Sequence, residues 1–210
     1  MKQTTAPLIA AHKLVKAFPP ARERALDGLS IDINSGSYTA IMGPSGSGKS
    51  TLLYALSGMD LADSGSVSFL GSELMGMKES RLASFRRDHM GFVFQNAGLL
   101  KHLSLMDNVL LPHWHSGSLS RRELAERAQV LFEKTGIAGL EKRMMQEVSG
   151  GELQRAGICR ALVGKPHILF CDEPTGALNS KSALSCMALL RGVHREGTAI
   201  LLVTHDPAIA

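Results

Sequence analysis

Cysteine is scarce in this sequence. The three present, Cys159, Cys171 and Cys186, form an odd set with no C-x-x-C spacing, which excludes a disulfide framework and a cysteine-built zinc module. Aromatic residues make up 5% of the chain, with one tryptophan, and its lysines and arginines are scattered. The formal charge of +4 therefore describes a solvated basic surface, and no nucleic-acid partner is expected. No apolar run approaches the roughly 18 residues that a membrane span needs, and the first residues lack the apolar core of a leader peptide. If the protein serves a membrane, another chain must cross it. Repeats, low-complexity tracts and long linkers are also missing, and 210 residues suffice for one well-cored domain.

What is there is an alternation of short β-type runs with longer helical patterns. Strands are predicted at 30–33, 38–42, 66–70, 91–95, 168–171 and 198–204, an order that implies an α/β sheet. The runs 168–171 and 199–203 are continuously apolar, as in central strands covered on both faces, whereas the early strands alternate and suit an antiparallel side sheet. Between about 96 and 165 the strand signals vanish. There Ser120, Arg121, Arg122 and Glu123 form a capping box that opens a helix with Leu124, Ala128, Leu131 and Phe132 on one face, ended at Gly136. Core strands on both sides make this stretch an inserted helical subdomain of a single domain, with 1–95 and 166–210 as the core.

Gly43, Pro44, Ser45, Gly46, Ser47, Gly48, Lys49 and Ser50, with Thr51 after them, stand between the run YTAIM and a helical pattern, the setting of a phosphate-binding loop. Glycines let backbone N–H groups turn inward, the helix start adds its positive end, Lys49 adds a charge and Ser50 can ligate Mg²⁺. A flexible glycine turn is the plainer alternative. Downstream, an apolar strand ends in Asp172 and Glu173. Two carboxylates there are costly unless something positive joins them, and a nucleotide-bound Mg²⁺ would supply it. Asp172 would face the metal and Glu173 would hold the attacking water; a solvated loop beginning at Asp172 is the competing reading.

A third segment, Val148, Ser149, Gly150, Gly151, Glu152, Leu153, Gln154 and Arg155, places a serine and two glycines before a helix, a second anion site of backbone donors plus a hydroxyl. Here the chain resembles the ABC ATPases, whose signature is LSGGQ or a near variant, and the resemblance covers about residues 8–210. It implies a fold: a phosphate-loop NTPase core with a mixed central sheet, an antiparallel β side sheet and an inserted helical subdomain. It implies that Lys49 of one subunit and Ser149 of another grip the same γ-phosphate, Ser149, Gly150, Gly151 and Glu152 forming the opposing half-site. Phe18 then resembles the aromatic that stacks on adenine, Gln95 the glutamine that reaches metal and water, and His205 the histidine that contacts the γ-phosphate. The resemblance implies ATP and Mg²⁺ as ligands, the metal being shared by Ser50, Gln95 and Asp172, and Glu173, His205 and Gln95 as catalytic residues. Taken singly, Phe18 reads as a core residue, Gln95 as a strand-end polar group and His205 as a histidine before a turn; their joint order carries the resemblance.

Within the family, the wording of the phosphate loop, of 82–112 and of 172–183 is similar to the lipoprotein-release, macrolide-export, cell-division and bacitracin-resistance ATPases, with a lean toward the antimicrobial-peptide resistance branch. The implied partners are a second identical or closely related ATPase subunit and a transmembrane permease, on the cytoplasmic face of the inner membrane. An ABC ATPase of DNA repair, or a nucleotide-binding regulator with little hydrolysis, is the alternative. Three departures stand out: Glu152 where glutamine is commonest, Asn179 where the D-loop usually ends in aspartate, and an end soon after His205, either truncated or naturally short. His113, Trp114 and His115 offer no second ligand pair, so no metal site is expected there.

Overall fold

The run from residue 9 to 18 breaks its own alternation. Ile9, Ala11 and Leu14 are buried, and Lys13 between the last two takes a left-handed φ of 50°, so the two-residue period slips by one and the pairing with both neighbours shifts register. That slip hid a strand, β1 (Ile9–Phe18), from the sequence reading. The computed structural model describes residues 6–19, 23–114, 120–207 and 209; His115 lies outside them. β1 pairs antiparallel with β2 (Glu23–Ile33) and β4 (Ser64–Phe69), and β4 with the short β5 (Ser72–Glu73), giving a four-stranded sheet in the order β2-β1-β4-β5.

The second sheet holds β3 (Tyr38–Met42), β6 (Met90–Phe94), β7 (Ile168–Asp172) and β8 (Ala199–Thr204) in the order β3-β8-β7-β6, every pair parallel. The expected α/β class with its antiparallel side sheet stands, but the central sheet is parallel among the described residues, not mixed. The reason is segregation: every antiparallel ladder closes within the side sheet, while each parallel step is reached through a helical crossover. β3 alternates because it is an edge strand; β8, fully buried, and β7, buried up to Asp172, lie in the middle.

Side chains from β7 and β8 divide between two cores. Ile168, Phe170, Leu201 and Val203 pack with the side sheet and with Leu52, Leu53 and Leu56 of α1 (Lys49–Ser57). Leu169, Cys171, Ile200 and Leu202 pack with Ile158, Cys186, Met187 and Leu190. A third core joins α3 (Leu105–Leu110), α4 (Arg121–Lys134) and one face of α5 (Gly150–Leu162), with Leu105, Leu124, Ala128, Phe132 and Cys159 at its centre. The predicted capping box at Ser120 and Glu123 is formed, and Gly136 follows α4 at φ 70°. α5 presses so closely on the sheet that a β-carbon at Gly91 of β6 would collide with the Ala161 carbonyl. The remaining α-helices among the described residues are α2 (Glu79–His89) and α6 (Ser180–Arg195). No helix of the described residues is long and apolar enough to cross a membrane.

Candidate active site

Parallel register sets where the chemistry falls. Met42 pairs with Thr204, Val203 with Asp172, and Asp172 with Phe94, so the carboxyl ends of all four strands lie in one row. The residues that follow are Gly43, His205, Glu173 and Gln95, each singled out from the sequence, at the edge where open parallel sheets bind ligands.

Gly43 to Gly48 run from β3 into α1. Gly46 and Gly48 have φ of 79° and 87°, and a β-carbon at Gly48 would collide with the Ala25 carbonyl of β2, so glycine is required there on two counts. α1 starts with neither a side-chain cap nor an acidic first turn. α3, α4, α5 and α6 are capped by Ser104, Ser120, Ser149 and Asn179, and α2 carries Glu79 in its first turn. α1 alone among them leaves its positive end without a side-chain cap or an acidic first-turn residue. The buried Lys49 curls back so that its ammonium donates to the Pro44 carbonyl at 2.7 Å, poised over the loop.

Asp172 meets α1 directly. Ser50 Oγ donates to Asp172 Oδ1 at 2.9 Å, and the Tyr54 hydroxyl donates to Oδ2 at 2.8 Å. Burial first, and then Asp172, push the Tyr54 phenol up to about 12, so it remains a donor. The next residue turns the chain: Glu173 sits at φ 46°, a left-handed conformation that costs about 1 kcal/mol or more for a residue with a β-carbon. In an extended strand Asp172 and Glu173 would point to opposite faces; the twist brings Glu173 Oε1 to 2.8 Å from His205 Nδ1. Gln95 leaves β6 exposed, and Gly176 makes room for it, since a β-carbon there would lie 2.8 Å from Gln95 Nε2.

Phe18 is 45% exposed at the end of β1, with the Lys16 ammonium 5.6 Å from its ring centre; it is not a core residue. Its strand pairs with the stretch of β2 around Ala25 that touches Gly48, which sets the ring at the rim beside the loop. Ser149, Gly150, Gly151 and Glu152 form a separate group. No hydrogen bond among the described residues joins them to residues 43–51. A cavity of about 790 Å³ between α4, α5 and α6 is lined by none of these site residues.

A profile of the ABC transporter family matches residues 26–176. The chain belongs to that family. It is similar to the ABC transporter ATP-binding protein YknY of Bacillus subtilis, 42% identical over 185 residues, 88% of this chain and 80% of YknY. It is similar also to the bacitracin export ATP-binding protein BceA of Halalkalibacterium halodurans, 40% identical over 90% of this chain and 75% of BceA. Against the macrolide export ATP-binding/permease protein MacB of Chlorobium luteolum it is 41% identical over 98% of its own length but only 31% of MacB's, so the chain spans about a third of that relative. Among solved structures, the dimeric post-hydrolysis state of the ATP-binding cassette MJ0796 bound to ADP and Pi superposes with a TM-score of 0.87 at 33% identity, over 96% of this chain and 90% of that one.

Two departures of this ABC cassette have a local reason. Ser149 caps α5, and Glu152 reaches back to accept from the Ser149 N–H and hydroxyl, both at 2.7 Å; those bonds, the backbone one first, hold its carboxyl below the usual range. Asn179 caps α6, its Oδ1 accepting from Ser182 N at 2.9 Å, a task asparagine and aspartate perform about equally. Sequence reasoning missed three polar residues. Tyr54 lies one helical turn past Ser50, a spacing that could have been noticed. Gln154, 3% exposed, donates from Nε2 to the Phe94 and Pro174 carbonyls, each at 2.8 Å. Arg160 donates to the Gly98 and Ala97 carbonyls at 2.8 and 2.5 Å.

Proposed function

We propose that this cassette powers a membrane exporter by closing, as one of a pair, over ATP bound between the phosphate loop of one copy and the Ser149 segment of the other, and by reopening on hydrolysis. The observation that carries it is the meeting, at one sheet edge, of an uncapped helix start, a hydroxyl-held Asp172 and a Glu173–His205 pair. Residues 43–51 cradle the phosphates through backbone N–H groups and Lys49. Phe18, exposed at the rim, offers a face for adenine. From the second copy, Ser149, Gly150 and Gly151 bring the other helix start, with Glu152 beside them. The chain acts as one unit: 1–95 and 166–210 as the ATP-holding core, 96–165 as the helical lobe that carries the signature.

The donors fit Mg²⁺. Ser50 Oγ and Asp172 are hard oxygens already in contact, Gln95 can add an amide oxygen, and Mg²⁺ beside a nucleotide asks for only one or two protein ligands. Bound there, it would neutralise charge on the phosphates. Glu173 is the general base, taking a proton from the attacking water, and His205 orients it through Nδ1 while facing the γ-phosphate. The names of the relatives, two of them export proteins, support a permease as partner. The surface suited to it is a groove of about 370 Å³ beside Gln95, lined by Met59, Phe92, Phe94, Leu111 and Arg160, which would hold the cassette peripherally at the cytoplasmic side of the membrane.

The test is Glu173→Gln. With the base removed and the fold intact, phosphate release should fall about a hundredfold or more, while ATP binding persists and closed pairs accumulate on size exclusion. Turnover at the original rate would remove Glu173 from the mechanism. Lys49→Ala should instead weaken ATP binding itself.

A further inference from the structure

The carboxylate read here as facing the metal is held by two hydroxyls, only one of which belongs to the phosphate loop. Ser50 and Tyr54 are one turn apart on α1, and each donates to a different oxygen of Asp172, at 2.9 and 2.8 Å. A carboxylate with one oxygen engaged still swings about its last torsion; engaged at both oxygens, it keeps one plane and stays beside Ser50. We propose that Tyr54 is a positioning residue for the divalent metal of ATP hydrolysis: its hydroxyl fixes the orientation of Asp172 that the metal requires. This rests on the assignment of Asp172 to the metal.

The ring and the hydroxyl of Tyr54 have separable tasks. The ring packs against the core under the side sheet, and the Tyr54 carbonyl, not its phenol, closes the end of α1 by accepting from Met59 N at 2.9 Å. Tyr54→Phe keeps both and deletes only the bond to Asp172. An ordinary structural contribution would alter nucleotide binding equally with and without metal; a positioning role alters only the coupling between metal and nucleotide.

The experiment measures affinity for a fluorescent ATP analogue in Mg²⁺ and in EDTA, for the native chain, Tyr54→Phe and Asp172→Asn. The ratio of the two affinities is the metal coupling. Tyr54→Phe should lower that ratio about three- to tenfold, leave affinity in EDTA unchanged, and melt near the native temperature; Asp172→Asn should lower it further. A native ratio in Tyr54→Phe while Asp172→Asn collapses it would overturn the role of Tyr54 and leave the metal assignment standing. Equal losses with and without metal would overturn it too. A native ratio in Asp172→Asn would bring down the metal assignment and the proposal with it. A second readout needs no variant. The chain has two tyrosines, and Tyr38 stacks edge-on against His194 at 5.5 Å. In the ring-labelled native protein, Mg²⁺ added to the ATP complex should shift the Tyr54 hydroxyl-carbon resonance and spare that of Tyr38. An unmoved Tyr54 signal would overturn the role.

Discussion

Glu152 holds the hydroxyl that the proposed closed pair would turn toward a γ-phosphate. In the single cassette, Ser149 donates both its N–H and its Oγ–H to the Glu152 carboxylate, so the Glu152 side chain that closes the capping box also puts a negative charge beside the helix start. Glutamine can close the same capping box without the charge. Glu152→Gln is therefore expected to melt near the native temperature and to pair more tightly on ATP, about threefold or more from one removed like-charge contact. Glu152→Ala should lose the reciprocal cap, about 1 kcal/mol. Sedimentation in a Glu173→Gln background reads the pairing; weaker association of Glu152→Gln would show that the carboxylate assists closure. At this scale the sequence was most legible where function is local. The glycines and lysine of residues 43–50 announce themselves because backbone turn, helix start and charge are contiguous. The bond from Tyr54 to Asp172 spans 118 residues and has no local signal. From the sequence Glu152 was only a departure from the commonest glutamine, and the folded helix start shows where its charge falls.

Among elements, α5 joins the helical core to the parallel sheet. Its face toward α3 and α4 carries Ala156 and Cys159, its face toward the sheet carries Ile158 and Ala161, and Gln154 in its second turn ties the end of β6 to the loop after Glu173 through the Phe94 and Pro174 carbonyls. Gln95 starts where that clasp ends. Replacing Gln154 with leucine keeps the helix and strands one buried and one part-buried carbonyl, which should cost about 2 kcal/mol in urea unfolding. It should also lower ATP turnover, because Gln95 and Glu173 are no longer held to one another. A stability loss with turnover per folded molecule unchanged would make the clasp a matter of packing alone. Elements of this kind were half legible. β7 and β8 read directly as apolar runs because both their faces are covered. β1 did not, because the bulge at Lys13 shifts its buried set by one residue, and the pairing of strands, parallel or antiparallel, is not a property of any one segment.

For the whole molecule, the side sheet, α2 and the central sheet meet at His89. Its ring lies 4.5 Å from Phe85, 6.2 Å from Phe69 of β4 and 5.3 Å from His167, measured between centres. Its buried Nδ1 has no hydrogen-bond partner among the described residues, and its carbonyl accepts from His167 N just before β7. Burial first, and then the His167 ring, lower the affinity of His89 for a proton, with Asp88 opposing them. The folded state therefore favours neutral imidazole, while the unfolded chain takes up a proton near pH 6.5. The sign follows from proton uptake: the unfolded state binds more protons below about pH 6.5, so the stability tied to neutral His89 is fully present above that pH and is lost as the pH falls through it. Urea unfolding between about pH 7.5 and 5 should show the decline, and His89→Phe, which suits the neighbouring rings, should make it shallower while leaving the neutral-pH stability close to native; the residual slope belongs to groups such as His113, whose proton affinity burial also lowers. An equal slope in His89→Phe would place the acid sensitivity elsewhere. The layers would then be joined at this corner by packing that does not depend on the charge of His89.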